Sequence, residues 1–240
     1  MVKKIVLLLV VLAFITACSK HEPVVVKKEA NADPNENPEL VEQNNDDDDT
    51  DEFIEFALPE EKVMVNLKMV PILNSYLEAS ANRAEAIKTM TILPIQAGNA
   101  NLYLLEFSCS NDLCSYILLD QSKDNPALLV ADLARTVQSK LSPDNSKILL
   151  QFNREASLPI PLTNLVVVDL VEWEQISLTN ETNDLQVLAY HWPIITAEWT
   201  DDQTITVSLP DVTEPVNKLL QQWQEAGKPI TTIDLQLSTK

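Results

Sequence analysis

The chain has 240 residues, with 17 Lys+Arg against 36 Asp+Glu and a formal net charge of −19. A surface so acidic repels the phosphate backbone of nucleic acid, so nucleic acid is not an expected partner. With glycines only at Gly98 and Gly227, no loop can supply the glycine cluster of a phosphate loop, a dinucleotide fingerprint or a nucleophile elbow, and no cofactor is expected.

The chain opens with Lys3 and Lys4, an apolar run from Ile5 to Phe14, and then Ile15-Thr16-Ala17-Cys18. The run is too short to span a bilayer as a helix, and residues 1–17 read as a signal peptide. Ile15-Thr16-Ala17-Cys18 resembles the lipobox of bacterial lipoproteins, in which a small residue precedes the Cys that is lipidated and becomes the mature N-terminus. The resemblance implies a diacylglycerol thioether on Cys18 and an extracytoplasmic, membrane-anchored protein. Each acyl chain would add roughly 0.8 kcal/mol of membrane affinity per buried methylene.

Residues 18–57 are polar and rich in Asn and Asp, with the block Asp46-Asp47-Asp48-Asp49-Thr50-Asp51-Glu52. From Glu29 to Glu61 there are 14 acidic residues and no Lys or Arg, so self-repulsion predicts a disordered, extended tether. A calcium loop starting at Asp47 would need Gly at its sixth position and Glu at its twelfth, where this chain has Glu52 and Leu58. No metal site is therefore expected in this stretch.

Residues 58–240 are expected to form a β-rich globular domain. Its first element is the short strand Val63–Leu67. The helical spacing of Leu73, Tyr76, Leu77, Ala84 and Ile87 then predicts one amphipathic helix from Ile72 to Lys88. Strand-like runs follow from Thr89 to Ile95, on either side of a Ser-Asn-Asp-Leu turn at residues 110–113, and from Ala127 to Leu133. Cys109 and Cys114 flank that turn. They are an even pair outside the reducing cytosol and are expected to bond across the hairpin mouth. Neither a Cys-x-x-Cys spacing nor clustered His supports a redox or metal role.

Four further strands are read at Val137–Leu141, Lys147–Asn153, Leu165–Leu170 and Glu174–Leu178, and two more at Ile194–Trp199 and Thr204–Leu209. Within them, Leu141-Ser142-Pro143-Asp144-Asn145-Ser146-Lys147, followed by Val166-Val167-Val168-Asp169-Leu170, resembles one blade of a TolB-type or WD-repeat β-propeller. Ala197-Glu198-Trp199-Thr200-Asp201-Asp202 looks like a degraded second copy. Residues 136–209 carry the resemblance, with Asn145 in place of the turn's usual Gly. Thr213-Glu214-Pro215 and Gly227 then bracket a helix carrying Val216, Leu219, Leu220 and Trp223 on one face. A last strand turns Ile233, Leu235 and Leu237 inward.

The expected fold is mainly β within an α+β class: antiparallel, propeller-blade-like hairpins with two flanking helices. The alternative is a single curved antiparallel sheet packed on two helices. Tyr190, His191 and Trp192 form the candidate ligand surface, since His191 is the only histidine after residue 21 and aromatics combine apolar area with a polar handle. No catalytic residue is assigned. The functional expectation is a lipid-anchored cell-envelope protein, a non-enzymatic binding or scaffold module for an envelope protein or wall ligand. The alternative is a cell-wall hydrolase using carboxylates such as Asp201 with Asp202 or Glu172 with Glu174, together with His191.

Overall fold

The computed structural model of the chain describes residues 23–29, 33, 35–44, 50–97, 100–121, 127–180 and 186–238. The expected signal peptide, Cys18 and Asp46 to Asp49 lie outside the described residues.

Among the described residues there are fifteen strands and three α-helices, and the named strands pair antiparallel. The first sheet has the order β1-β4-β3-β2, from β1 (Val25–Glu29), β2 (Glu39–Asn44), β3 (Thr50–Ala57) and β4 (Glu61–Asn66). A seven-stranded meander follows: β5 (Thr91–Ala97), β6 (Ala100–Ser110), β7 (Leu113–Asp120), β8 (Leu128–Leu141), β9 (Lys147–Arg154), β10 (Leu162–Asp169) and β11 (Glu174–Ile176). The third sheet has the order β12-β15-β14-β13, from β12 (Leu178–Thr179), β13 (Thr196–Trp199), β14 (Thr204–Pro210) and β15 (Ile230–Leu237). In the first and third sheets alike, the strand that precedes a three-stranded meander pairs with the meander's last strand.

The long strand β8 divides the meander in two. Its first half pairs with β7 up to Ala134, and its second half pairs with β9 from Arg135 onward. Register shifts fall on both sides of the crossover, and Leu133 adopts a left-handed φ of 47°. Such bulges bend a strand sharply. The meander accordingly folds back on itself, because Leu104, Tyr116 and Leu118 from one half share a core with Ile148, Leu150 and Phe152 from the other.

Four layers therefore enclose three cores. Alternate residues of the inner strands face opposite cores: Leu102 and Leu104 turn to the middle core, Tyr103, Leu105 and Phe107 to the first. On the far side, Leu149, Leu165 and Val167 join the third core with Ile205, Val207 and Leu235, while Ile148, Leu150, Val166 and Val168 remain in the middle one. This two-sided burial explains the unbroken apolar runs in β6, β7, β9 and β10, since both faces of those strands are dry. The outer strand β15 keeps the ordinary alternation, with Leu235 and Leu237 buried and Asp234 exposed.

Several expectations need correction. The described part of the stretch read as a disordered tether is built into the first sheet, as β1, β2 and β3. Its charges are matched across strands and to a helix: Lys27 with Glu61 at 2.6 Å, Lys62 with Glu55 at 2.5 Å, and Glu52 with Arg83 at 2.5 Å. The predicted helix Ile72–Lys88 is two helices, α1 (Pro71–Ala79) and α2 (Arg83–Lys88). The break falls where Asn82 caps α2, accepting from the Glu85 backbone N–H at 3.2 Å, and where Ser80 Oγ donates back to Tyr76 O at 2.8 Å. Capping by Asn competes with helix continuation. The last helix, α3 (Asn217–Glu225), starts two residues beyond Pro215 and leaves Val216 exposed, with Leu220 and Trp223 buried. It ends as expected at Gly227, whose φ of 87° lets the Lys228 N–H return to Trp223 O at 3.0 Å. Among the described residues the α-helices are thus three, and the strands form three sheets rather than a single curved one.

Candidate functional site

The sequence Tyr190-His191-Trp192 sits on a tight turn between β12 and β13. Ala189 and Tyr190 both hold left-handed φ values, 56° and 61°, which cost roughly 1 kcal/mol or more each for non-glycine residues. The turn is held because Thr163, on β10, engages it with every polar atom it has. Its backbone N–H donates to Trp192 O at 3.0 Å, its carbonyl accepts from the Tyr190 N–H at 3.1 Å, and its hydroxyl accepts from the Ile194 N–H at 3.1 Å while donating to Asn153 Oδ1 at 2.8 Å. Asn164 Oδ1 accepts the Ala189 N–H at 2.9 Å.

The three aromatic residues of this turn part company. Tyr190 is half-buried beneath Arg154, whose guanidinium lies 3.9 Å from the ring centroid, a stacked cation–π arrangement. Burial holds its phenol above the usual tyrosine range. His191 is exposed, and its Nδ1 lies 2.8 Å from Leu188 O, a carbonyl that can only accept. Trp192 is 5% exposed and packs in the third core, so it cannot form part of a ligand surface. Its Nε1 has no protein partner. The candidate surface thus reduces to the edge of Tyr190 and His191. Thr163, the residue that organises it, carries no motif; a buried threonine within an apolar strand is the only trace it leaves in the sequence.

Cys109 and Cys114 are at disulfide distance, with sulfurs 2.13 Å apart and Cα atoms 4.1 Å apart. The hairpin they close is tighter than the four-residue turn expected. Ser110 pairs with Leu113, and only Asn111 and Asp112 form the loop, both left-handed at 52° and 62°. That is the backbone of a type I′ turn, whose twist matches the flanking strands. Glu106 Oε1 lies 3.7 Å from Cys109 Sγ. Glu106, Cys109 and Cys114 bring three ligand-type atoms within 4.8 Å of one another. A metal would require the two thiolates that the disulfide consumes.

Of the carboxylates considered for hydrolysis, Asp201 and Asp202 serve turns, and Asp202 does so together with Asp144. Asp144 accepts from Ser142 Oγ at 2.6 Å, the Ser146 N–H at 2.9 Å and Ser146 Oγ at 2.7 Å, and these bonds hold it well below the usual carboxylate range. Asp202 Oδ1 accepts from the Asp144 N–H at 2.9 Å, and Asp201 Oδ1 from the Gln203 N–H at 2.7 Å. Glu172 donates its backbone N–H to Asp169 Oδ1 at 3.0 Å.

Two grooves stand out. One, of about 420 Å³, lies between the β10–β11 edge and the third sheet, lined by Lys147, Asp169, Glu174, Gln175, Gln203 and Leu237 among others. Lys147 is 8% exposed and donates to Ser146 Oγ at 2.8 Å. The other, of about 270 Å³, is mainly apolar and runs between β2 and α2, past Leu40, Ala84 and Ile87. Among the described residues, no helix is long and apolar enough to cross a membrane. Compared with protein-family models, with curated proteins and with solved structures, the chain matches none.

Proposed function

We propose that this protein is a lipid-anchored component of a bacterial cell envelope whose β-rich module binds an envelope protein or wall ligand without catalysing a reaction. The observation that carries the anchoring is Ile15-Thr16-Ala17-Cys18 directly after a basic start and an apolar run too short to span a bilayer. The non-enzymatic reading is supported by the occupation of one of the two carboxylate pairs considered: Asp201 and Asp202 are tied into turns.

The layers read as propeller-like blades. Support comes from the two turns that carry the resemblance, Ser142–Lys147 and Thr200–Thr204, which meet at the Asp144–Asp202 hydrogen bond. Blade-type packing places such turns at the same end of adjacent sheets.

The test of anchoring is the mass and membrane fractionation of wild type and Cys18→Ala. Wild type carries acyl mass on Cys18 and pellets with membranes, and the variant is released. A wild-type protein without acyl mass overturns the reading. For binding, the full chain solubilised in detergent is used as bait against solubilised envelope of the source cell, with a heat-denatured control. One stoichiometric partner supports a binding role, and an empty lane counts against a protein partner.

A further inference from the structure

The first sheet starts unexpectedly early. Val24 and Val25 are 1% and 2% exposed and belong to the first core, and Val24 O accepts the Asn66 N–H at 2.9 Å. Only six residue steps separate Val24 from Cys18. A chain of that length spans about 20 Å at most when fully extended. If Cys18 carries lipid, the folded module cannot drift far from the bilayer, and the part of it nearest the lipid is the end of the sheet where β1 begins.

The two ends of this sheet differ in chemistry. At the Val24 end, β4 runs out at Asn66 into a short 3₁₀ turn (Leu67–Met69) and then α1, exposing Lys68, Pro71 and Ile72, the last 42% exposed. At the other end the register pairs Glu29 with Glu61 and Glu39 with Glu55, and the exposed Glu36 and Glu60 stand beside them. Asn66 and Glu60 are about 20 Å apart along β4 at the usual strand rise. A lysine beside exposed apolar side chains suits a headgroup boundary, because its stem lies along apolar surface while its ammonium stays wet.

We propose that the Val24–Asn66 end of the first sheet, with Lys68, Pro71 and Ile72 around it, rests against the bilayer that holds Cys18, and that the glutamate-rich end points away. This inference rests on the lipoprotein reading. Asp51 and Glu52 lie near the same end of the sheet, paired with Lys68 and Arg83. Zwitterionic vesicles therefore remove like-charge repulsion from the test.

The full-length protein, purified from membranes, is labelled with a fluorophore at Ile72→Cys, at Lys68→Cys or at Glu60→Cys, all exposed positions, and reconstituted in phosphatidylcholine vesicles carrying a spin-labelled headgroup. The spin label quenches only on near contact. Expected is quenching severalfold greater at positions 68 and 72 than at 60, with acyl mass on Cys18 confirmed for each sample. Acylated protein with equal quenching at both ends, with more at 60, or with none at either overturns the orientation alone. Protein without acyl mass overturns the anchoring and the orientation together. Lys68→Cys reports the same end should Ile72→Cys fold poorly.

Discussion

Trp199 donates its indole N–H to the carbonyl oxygen of Lys140 at 3.1 Å, so the third sheet is fastened to the end of β8 by a side chain from β13. Around that bond, Gln138 Nε2 donates to Ala197 O at 3.0 Å and the Lys140 ammonium pairs with Glu198. Trp199→Phe keeps most of the ring and removes the donor. Loss of about 1 kcal/mol is expected in urea unfolding, and an unchanged midpoint would show that the bond contributes nothing to the junction of the sheets.

Asp144 gives the Ser142–Lys147 turn its acid sensitivity. Its ionised form is held by hydroxyls and an N–H, so its proton affinity is lower in the folded chain than in the unfolded one. The stabilisation is complete above the unfolded carboxylate range and fades as pH falls below about 4. Asp144→Ala should cost on the order of 1 kcal/mol at neutral pH. The difference from wild type should shrink as the solution is acidified, a trend that thermal melts across the acid range will show or refute.

Tyr116 behaves in the opposite sense. Burial, above all, pushes its phenol up to about 12, and its oxygen accepts the Thr136 backbone N–H at 3.2 Å beside the bend of β8. A folded value raised above the unfolded one contributes stability that is complete below about pH 10 and is lost as pH climbs. Tyr116→Phe should therefore flatten the alkaline limb of the stability profile. It should also cost about 1–2 kcal/mol at neutral pH by leaving the Thr136 N–H unpaired.

Val24→Asp separates the first sheet from a tether. A carboxylate at a position 1% exposed in the first core is expected to cost about 3 kcal/mol or more. The same substitution in an unstructured leash would leave the unfolding curve unmoved, so one denaturation experiment decides between them.

The disulfide closes a short loop, and the chain-entropy treatment gives it about 2 kcal/mol. Cys109→Ser with Cys114→Ser should lower stability by about that amount while the far-UV spectrum is kept, because the Asn111-Asp112 turn and the β6–β7 register remain. Thiol labelling of the unreduced wild type should find both cysteines blocked.

Much of the fold was legible because it is written locally. The apolar runs of β6, β7, β9 and β10, the Ser-Pro-Asp turn, the paired cysteines and the Gly227 stop all act through neighbours in sequence. The candidate surface was only half legible. Tyr190 is half-buried and His191 exposed, but Trp192 is drawn into the third core beside Thr163, which lies 29 positions earlier and which no local pattern marks. The break in the predicted Ile72–Lys88 helix was missed because the apolar spacing runs on through Ser80–Asn82 and hides the cap.

The sequence by itself determined where apolar surface is concentrated, where the chain must turn, and that residues 29–61 hold 14 acidic residues and no Lys or Arg. Only the tertiary structure decided that Val24, Val25, Ile54 and Phe56 find a core. Their burial depends on pairing with β4 and packing on α1, β6 and β7, and their charged neighbours are matched by Lys62 and Arg83. Those partners lie beyond the acidic stretch in sequence, and contacts of that kind leave no trace in composition or periodicity.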